Sequence, residues 1–251
     1  MTPLILALVA GAVVGLSLGA LGGGGSVLAV PALIYLLGFT PDQATTASLL
    51  VVAATSLTAL TAHARSGAVR WRLGAVFALA GVVPAAAAGV LTRHVPAPAL
   101  TGAFALIAAV AAGSMLRKAR PVASDVRPVR AAGVGAGLGA MTGFLGVGGG
   151  FLAVPALVGV LAVPMTAAVG TSLLVITTNA TVALTARLGD LALLDWTLIG
   201  PFAAAALLGA WDGKRLAADV RATTLQRLFA AVLLAVAAFM AVDAARRAVT
   251  G

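Results

Sequence analysis

Of 251 residues, 61% are apolar and only 9% are charged, whereas a water-soluble surface normally draws on about a quarter charged residues. The net charge of +9 sits in short loops between apolar runs instead of on one continuous face, which is the positive-inside pattern of a membrane protein and excludes a nucleic-acid-binding surface. With no cysteine, disulfides and thiolate metal sites are also excluded.

The N-terminus, Met1-Thr2-Pro3 running straight into apolar residues, lacks the basic region of a cleaved signal peptide. A membrane-spanning helix needs about 20 mostly apolar residues. In chain order the sequence supplies Leu4 to Leu21, Ala44 to Ala62, Leu73 to Leu91, Ala99 to Leu116, Ala131 to Leu145, Met165 to Ala186, Trp196 to Trp211 and Leu225 to Val242. The first of these continues past Gly22-Gly23-Gly24-Gly25 to Leu37. As one helix, Pro3 to Leu37 would be roughly 50 Å long against a hydrocarbon core of about 30 Å. The glycines are therefore expected to break it, leaving a short apolar segment, Ser26 to Leu37, that folds back.

The chain repeats itself with a period of 124 residues. Gly11 to Leu33 aligns with Gly135 to Leu157, with 14 of 23 positions identical in the pattern G-A-x-x-G-x-x-x-G-x-L-G-x-G-G-x-x-L-A-V-P-A-L. Ser48-Leu49-Leu50-Val51 likewise matches Ser172-Leu173-Leu174-Val175. The expected organisation is two related halves, residues 1–124 and 125–251, each of about five elements: a helix, a short apolar segment, and three further helices. With an odd number of crossings the halves are inverted. The loops 63–72, 117–130 and 212–227 then share one side and hold twelve basic residues, against four (Arg93, Arg187, Arg246 and Arg247) on the other. Parallel halves with four crossings each divide the same charges eleven to five, so the positive-inside rule favours inversion, with both termini outside the cytoplasm. The fold class is thus an all-α polytopic membrane protein with glycine-broken helices meeting near the midplane, where duplicated transporters hold their substrate.

At both breaks the backbone must leave helical geometry inside the membrane, which is tolerated only where it is buried in protein or lines a watery cavity. A short helix starts after each, at about Ser26 and Gly150, and its first N–H groups lack intrahelical partners at the positive end of the macrodipole. Glycines let an anion approach such donors closely. The candidate substrate site is therefore Gly22, Gly24, Gly25 and Ser26 in the first half and Gly146, Gly148, Gly149 and Gly150 in the second. It is extended by Thr46, Ser48, Thr171, Ser172 and Asn179 from the hydroxyl-rich third element of each half. The competing role for hydroxyls is a hydrogen bond back to their own helix. Gly11, Gly15 and Gly19, with Gly135, Gly139 and Gly143, have instead the small-xxx-small spacing of helix packing. Pro31 and Pro155 are placed to kink the half-helices.

Other chemistries find little to work with. An intramembrane hydrolase would have to draw on Ser26 with His63 or His94, and both histidines stand beside arginines at helix ends, where a solvated interfacial role is expected. A metal-cation carrier would want carboxylates within the membrane, yet the chain has no Glu and its seven Asp residues fall in or near loops. No cofactor, metal or nucleic-acid partner is expected. The expected partners are a small anion and the bilayer, and a homo-oligomer is compatible with the sequence. Another small solute or ion, such as a carboxylate or a metal cation, stands as the alternative cargo.

The paired G-x-G-G turns, each leading into A-V-P-A-L, followed by Thr-Ala-Ser-Leu-Leu in one half and Gly-Thr-Ser-Leu-Leu in the other, resemble the sulfite exporter TauE/SafE family over nearly the whole chain. The resemblance implies export of sulfite, an organosulfonate or a related organic anion across the bacterial cytoplasmic membrane. The two turns differ, with Ser26 facing Gly150 in the alignment and Gly23 facing Val147.

Overall fold

The computed structural model describes residues 2–92, 97–116, 127–145, 150–185, 187–218 and 220–250, and among them there is no strand. Helix α1 (Thr2–Leu21) is followed by the short α2 (Gly24–Pro31), then α3 (Pro41–Arg65), α4 (Trp71–Thr92) and α5 (Ala97–Leu116). The same succession returns as α6 (Pro128–Leu145), the short α7 (Gly150–Pro155), α8 (Met165–Thr185), α9 (Trp196–Ala218) and α10 (Ala222–Thr250). Each of the eight apolar stretches read from the sequence lies largely within one of the long helices. Five described segments are long and apolar enough to cross a bilayer, namely Pro3–Leu21, Asp42–Arg65, Trp71–Ala88, Met165–Thr185 and Ala222–Asp243. The protein is a multi-pass helical membrane protein.

Local chemistry explains the interruptions. Gly22 ends α1 with φ +74, a left-handed cap natural to glycine, and its N–H donates to the Leu18 carbonyl at 2.9 Å. Pro31 ends α2 and Pro155 ends α7, and each leads into a π-helical turn, Ala32–Leu36 and Ala156–Val160. A proline cannot donate to the turn before it and crowds the carbonyl there, so the helix widens just beyond it. Helix α3 restarts the chain with proline in its first turn and a capping box: the Gln43 N–H donates to Thr40 Oγ1 and the Thr40 N–H to Gln43 Oε1.

Two helix pairs are held at backbone contact. A methyl group built on Gly11, Gly15 or Gly19 would run into the carbonyls of Phe202, Ala206 and Ala210 on α9. From the other side Gly209 and Gly213 face the backbone around Ala12 and Leu16. Gly135 and Gly139 of α6 press in the same way on Phe77 and Gly81 of α4. This is the small-residue packing that the glycine spacing predicts, where van der Waals fit replaces a hydrophobic driving force. Residue numbers rise together in both pairs, so α1 runs parallel to α9 and α6 to α4.

The central pair runs the other way. Just beyond the end of α3, the Arg70 N–H donates to Thr171 Oγ1 near the start of α8 (3.1 Å), and just beyond the end of α8, Arg187 Nη1 donates to Thr46 Oγ1 near the start of α3 (3.4 Å). Helices α3 and α8 are therefore antiparallel. So are α5 and α10, since Gln226 at the start of α10 donates to the Met115 carbonyl at the end of α5. Phe77, Phe151, Phe202 and Phe229 are fully buried in the core, while Leu79, Val83, Leu106 and Leu208 are each at least two-thirds exposed. An apolar exterior of this kind is matched to lipid.

Candidate functional site

The two half-helices meet at their N-terminal ends. A Cβ on Gly23, at the entrance to α2, would lie 2.8 Å from the Gly150 carbonyl oxygen and 2.9 Å from the Phe151 Cα, both in α7. A Cβ on Gly150 would lie 3.1 Å from Ser26 Oγ and 2.6 Å from Ile176 of α8, and one on Gly22 would lie 2.6 Å from Ser172 Oγ. Four of the sequence candidates, Gly22, Ser26, Gly150 and Ser172, therefore converge from α1, α2, α7 and α8. Ser26, Gly150 and Ser172 are buried. Gly24 opens α2 beside them. Gly25 is also a packing glycine, because its missing side chain faces Val14 and Leu18 of α1. Gly146, Gly148 and Gly149 lie outside the described residues.

The chemistry of this crossing resides in its backbone. The N–H groups of Gly22 and Gly23 are already used on the carbonyls of Leu18 and Leu21. The first turn of α2, Gly24 to Ser26, presents donors that the helix itself cannot satisfy, at the positive end of its dipole. The hydroxyls bond locally: Ser26 donates to the Gly23 carbonyl, Ser48 to Thr45 and Ser172 to Val169, each at 2.8 Å. A serine bonded back in this way keeps its lone pairs but has no proton left for a ligand. An oxyanion held here would rely on main-chain N–H groups.

The other candidates stand elsewhere. Thr171 is buried against the start of α4, where it accepts from Arg70. Ser48 is buried in α3, and Asn179 is half-buried in α8. Thr46 is fully buried and borders a cavity of about 330 Å³ lined by Asp42, Gln43, Thr46, Arg187, Asp190 and Leu193. One polar bridge joins the central helices directly, from Thr177 Oγ1 to Ser56 Oγ at 2.9 Å.

Two residues depart from what the sequence suggests. His63 is buried instead of solvated, with Nε2 3.3 Å from the Gly19 carbonyl. The Gly19 carbonyl near the end of α1 lies against it, a tertiary contact invisible to a reading of α3 alone. Arg187, counted in the sequence only as a loop charge, reaches inward to Thr46. A signal was present in the repeat, since the position 124 residues earlier is His63, giving a basic residue at the far end of both central helices. His94 lies outside the described residues, and among those described no group of three or more acidic or histidine side chains is placed to hold a metal.

The sulfite exporter TauE/SafE family matches the chain over residues 7–240. Two relatives from Xylella fastidiosa, each described as a probable membrane transporter protein, are similar along their length. The one from strain 9a5c is 35% identical and the one from strain Temecula1 34%, both over 247 residues, with 94% of each chain covered.

Proposed function

The chain belongs to the sulfite exporter TauE/SafE family of membrane transporters, and on that premise we propose that it exports a small anion, sulfite or an organosulfonate, across the bacterial cytoplasmic membrane. The observation that carries this reading is the meeting of α2 and α7 at glycine-lined backbone, Gly23 against Gly150 and Phe151, with the first turn of α2, which no side chain caps, beside it. Backbone donors at the positive end of a helix suit an oxyanion that must also leave. Substrate binding is assigned to Gly24, Gly25 and Ser26 and to their repeat equivalents Gly148, Gly149 and Gly150, with Gly22 shaping the first turn.

Residues 1–124 and 125–251 are read as inverted repeats. Equivalent helices, α3 with α8 and α5 with α10, run antiparallel, as inversion requires. The end of α3 that carries Arg65, Arg70 and Arg72 also receives Lys214 and Arg215 of α9, through the Lys214 bond to the Ala62 carbonyl. That end is assigned to the cytoplasm. A hydrolytic role is disfavoured because Ser26 donates to the Gly23 carbonyl while His63 pairs with the Gly19 carbonyl, so this serine and this histidine are not joined.

A thermal-shift screen of the purified protein against sulfite, sulfate, sulfonates, carboxylates and halides tests the assignment. Stabilisation by sulfite or a sulfonate, and not by sodium or ammonium salts of halides at the same ionic strength, is expected. Stabilisation by carboxylates alone would transfer the function to that class.

A further inference from the structure

We propose that the cavity at the non-cytoplasmic end of α3 is a second anion subsite, in which Arg187, anchored on Thr46, receives the oxyanion as it leaves the protein. The inference rests on the anion-export reading above and adds a place on the exit side that the glycine crossing does not supply.

Five of the six residues lining the cavity are polar or charged, Leu193 being the exception. Arg187 is the cation among them. Its guanidinium makes one side-chain hydrogen bond, the 3.4 Å contact to Thr46 Oγ1, and forms no ion pair with a described carboxylate, although Asp42 and Asp190 line the same space. A guanidinium has five N–H donors in a planar fork suited to an oxyanion, so most of its capacity is unused. Thr46 is fully buried, and its oxygen accepts from Arg187 while its own proton meets no acceptor among the described residues. Arginine, anchored on the buried threonine, thus presents its remaining donors into one polar cavity.

The two carboxylates set the strength of the site. Asp42 lies in the first turn of α3, where it offsets the positive end of that helix. Asp190 belongs to the 3₁₀ turn Leu188–Leu193, which is tied across the mouth by the Gln43 bond to the Leu193 carbonyl (3.3 Å). Arg187 draws the anion and Asp190 opposes it, a balance that favours brief occupancy, as conduction requires. Arg187 is a specificity-determining residue of the exit path, acting after the central crossing.

The test uses the whole protein in right-side-out and inside-out membrane vesicles, with sulfite and methanesulfonate as probes, and compares half-saturating concentrations at the two faces. Arg187→Gln is expected to raise the outer value relative to the inner one about tenfold, the loss of one charge-assisted contact, with Arg187→Lys recovering part of it. Asp190→Asn should move the ratio in the opposite direction. A purely structural latch would give the same sign for both substitutions, or equal changes at both faces, and either result overturns the subsite, as does an unchanged ratio in Arg187→Gln. Wild-type vesicles that carry neither probe remove the anion reading itself, and the subsite with it.

Discussion

Glycine does three different jobs in this chain, and substitutions separate them. At Gly11 and Gly15 the missing side chain admits a carbonyl of α9, so alanine forces two helices apart. Gly15→Ala is expected to cost about 1–3 kcal/mol as an overpacking change, read as a lower melting temperature in detergent, while the anion affinity of the folded fraction stays the same. At Gly22 the demand is conformational. With φ +74, an alanine there should cost about 1–2 kcal/mol, and a Cβ would also press on Ser172 Oγ. Gly24 opens α2 where its N–H is unsatisfied by the helix, and Gly24→Val should leave protein levels unchanged but block access to the donors.

The sequence separates the first job from the others by spacing alone, because the four-residue interval of Gly11, Gly15 and Gly19 has no other use. It does not reveal that Gly25, inside the run of four, faces α1. Nor does it show that Ser26, Ser48 and Ser172 bond back to their own helices. A hydroxyl's partner depends on its rotamer and neighbours, and neither has a sequence signature.

At the level of helices, the broken elements follow from two kinds of residue. Glycine stops α1, and Pro31 and Pro155 open π-helical turns at equivalent places in the repeat. The glycines and prolines are legible as breaks in the sequence, but the swapped pairing of α1 with α9 and of α4 with α6 is not. It depends on which glycine faces meet. The repeat period did predict that equivalent elements recur, and the charge asymmetry predicts how they are oriented. Because the chain has no cysteine, single cysteines can report sidedness without background. Cysteines at Arg70 and Ala217 are expected to react with an impermeant maleimide from the cytoplasmic face, and one at Leu191 from the opposite face. Labelling of positions 191 and 217 from the same side would contradict the inverted arrangement.

For the whole molecule, the small number of ionisable groups bears on energetics. There is no Glu, and the described Asp residues sit at or toward helix ends or in connecting segments, as Asp42, Asp190, Asp195, Asp212 and Asp243 do. A proton-coupled carrier needs a titratable group in the membrane-embedded part of its transport path, whereas Asp42 and Asp190 border only the cavity at the proposed exit end. The anion is instead expected to follow its own gradient and the membrane potential, which drives a single negative charge outward with about 2.3 kcal/mol per 100 mV. An imposed pH gradient, with the potential clamped, is therefore expected not to accumulate methanesulfonate, whose charge is constant over the range. Accumulation would make Asp42 and the buried His63, at opposite ends of α3, the first groups to neutralise.

The central claim, that an anion crosses where α2 meets α7, is tested most directly by sulfite efflux from proteoliposomes at a fixed inside-negative potential. Wild-type protein should release sulfite at a rate that rises with the potential. Gly24→Val and Gly148→Val should each abolish release at unchanged protein level, while Gly15→Ala protein that remains folded should still transport. Wild-type flux in both valine variants would contradict the claim and move the pathway away from the glycine crossing.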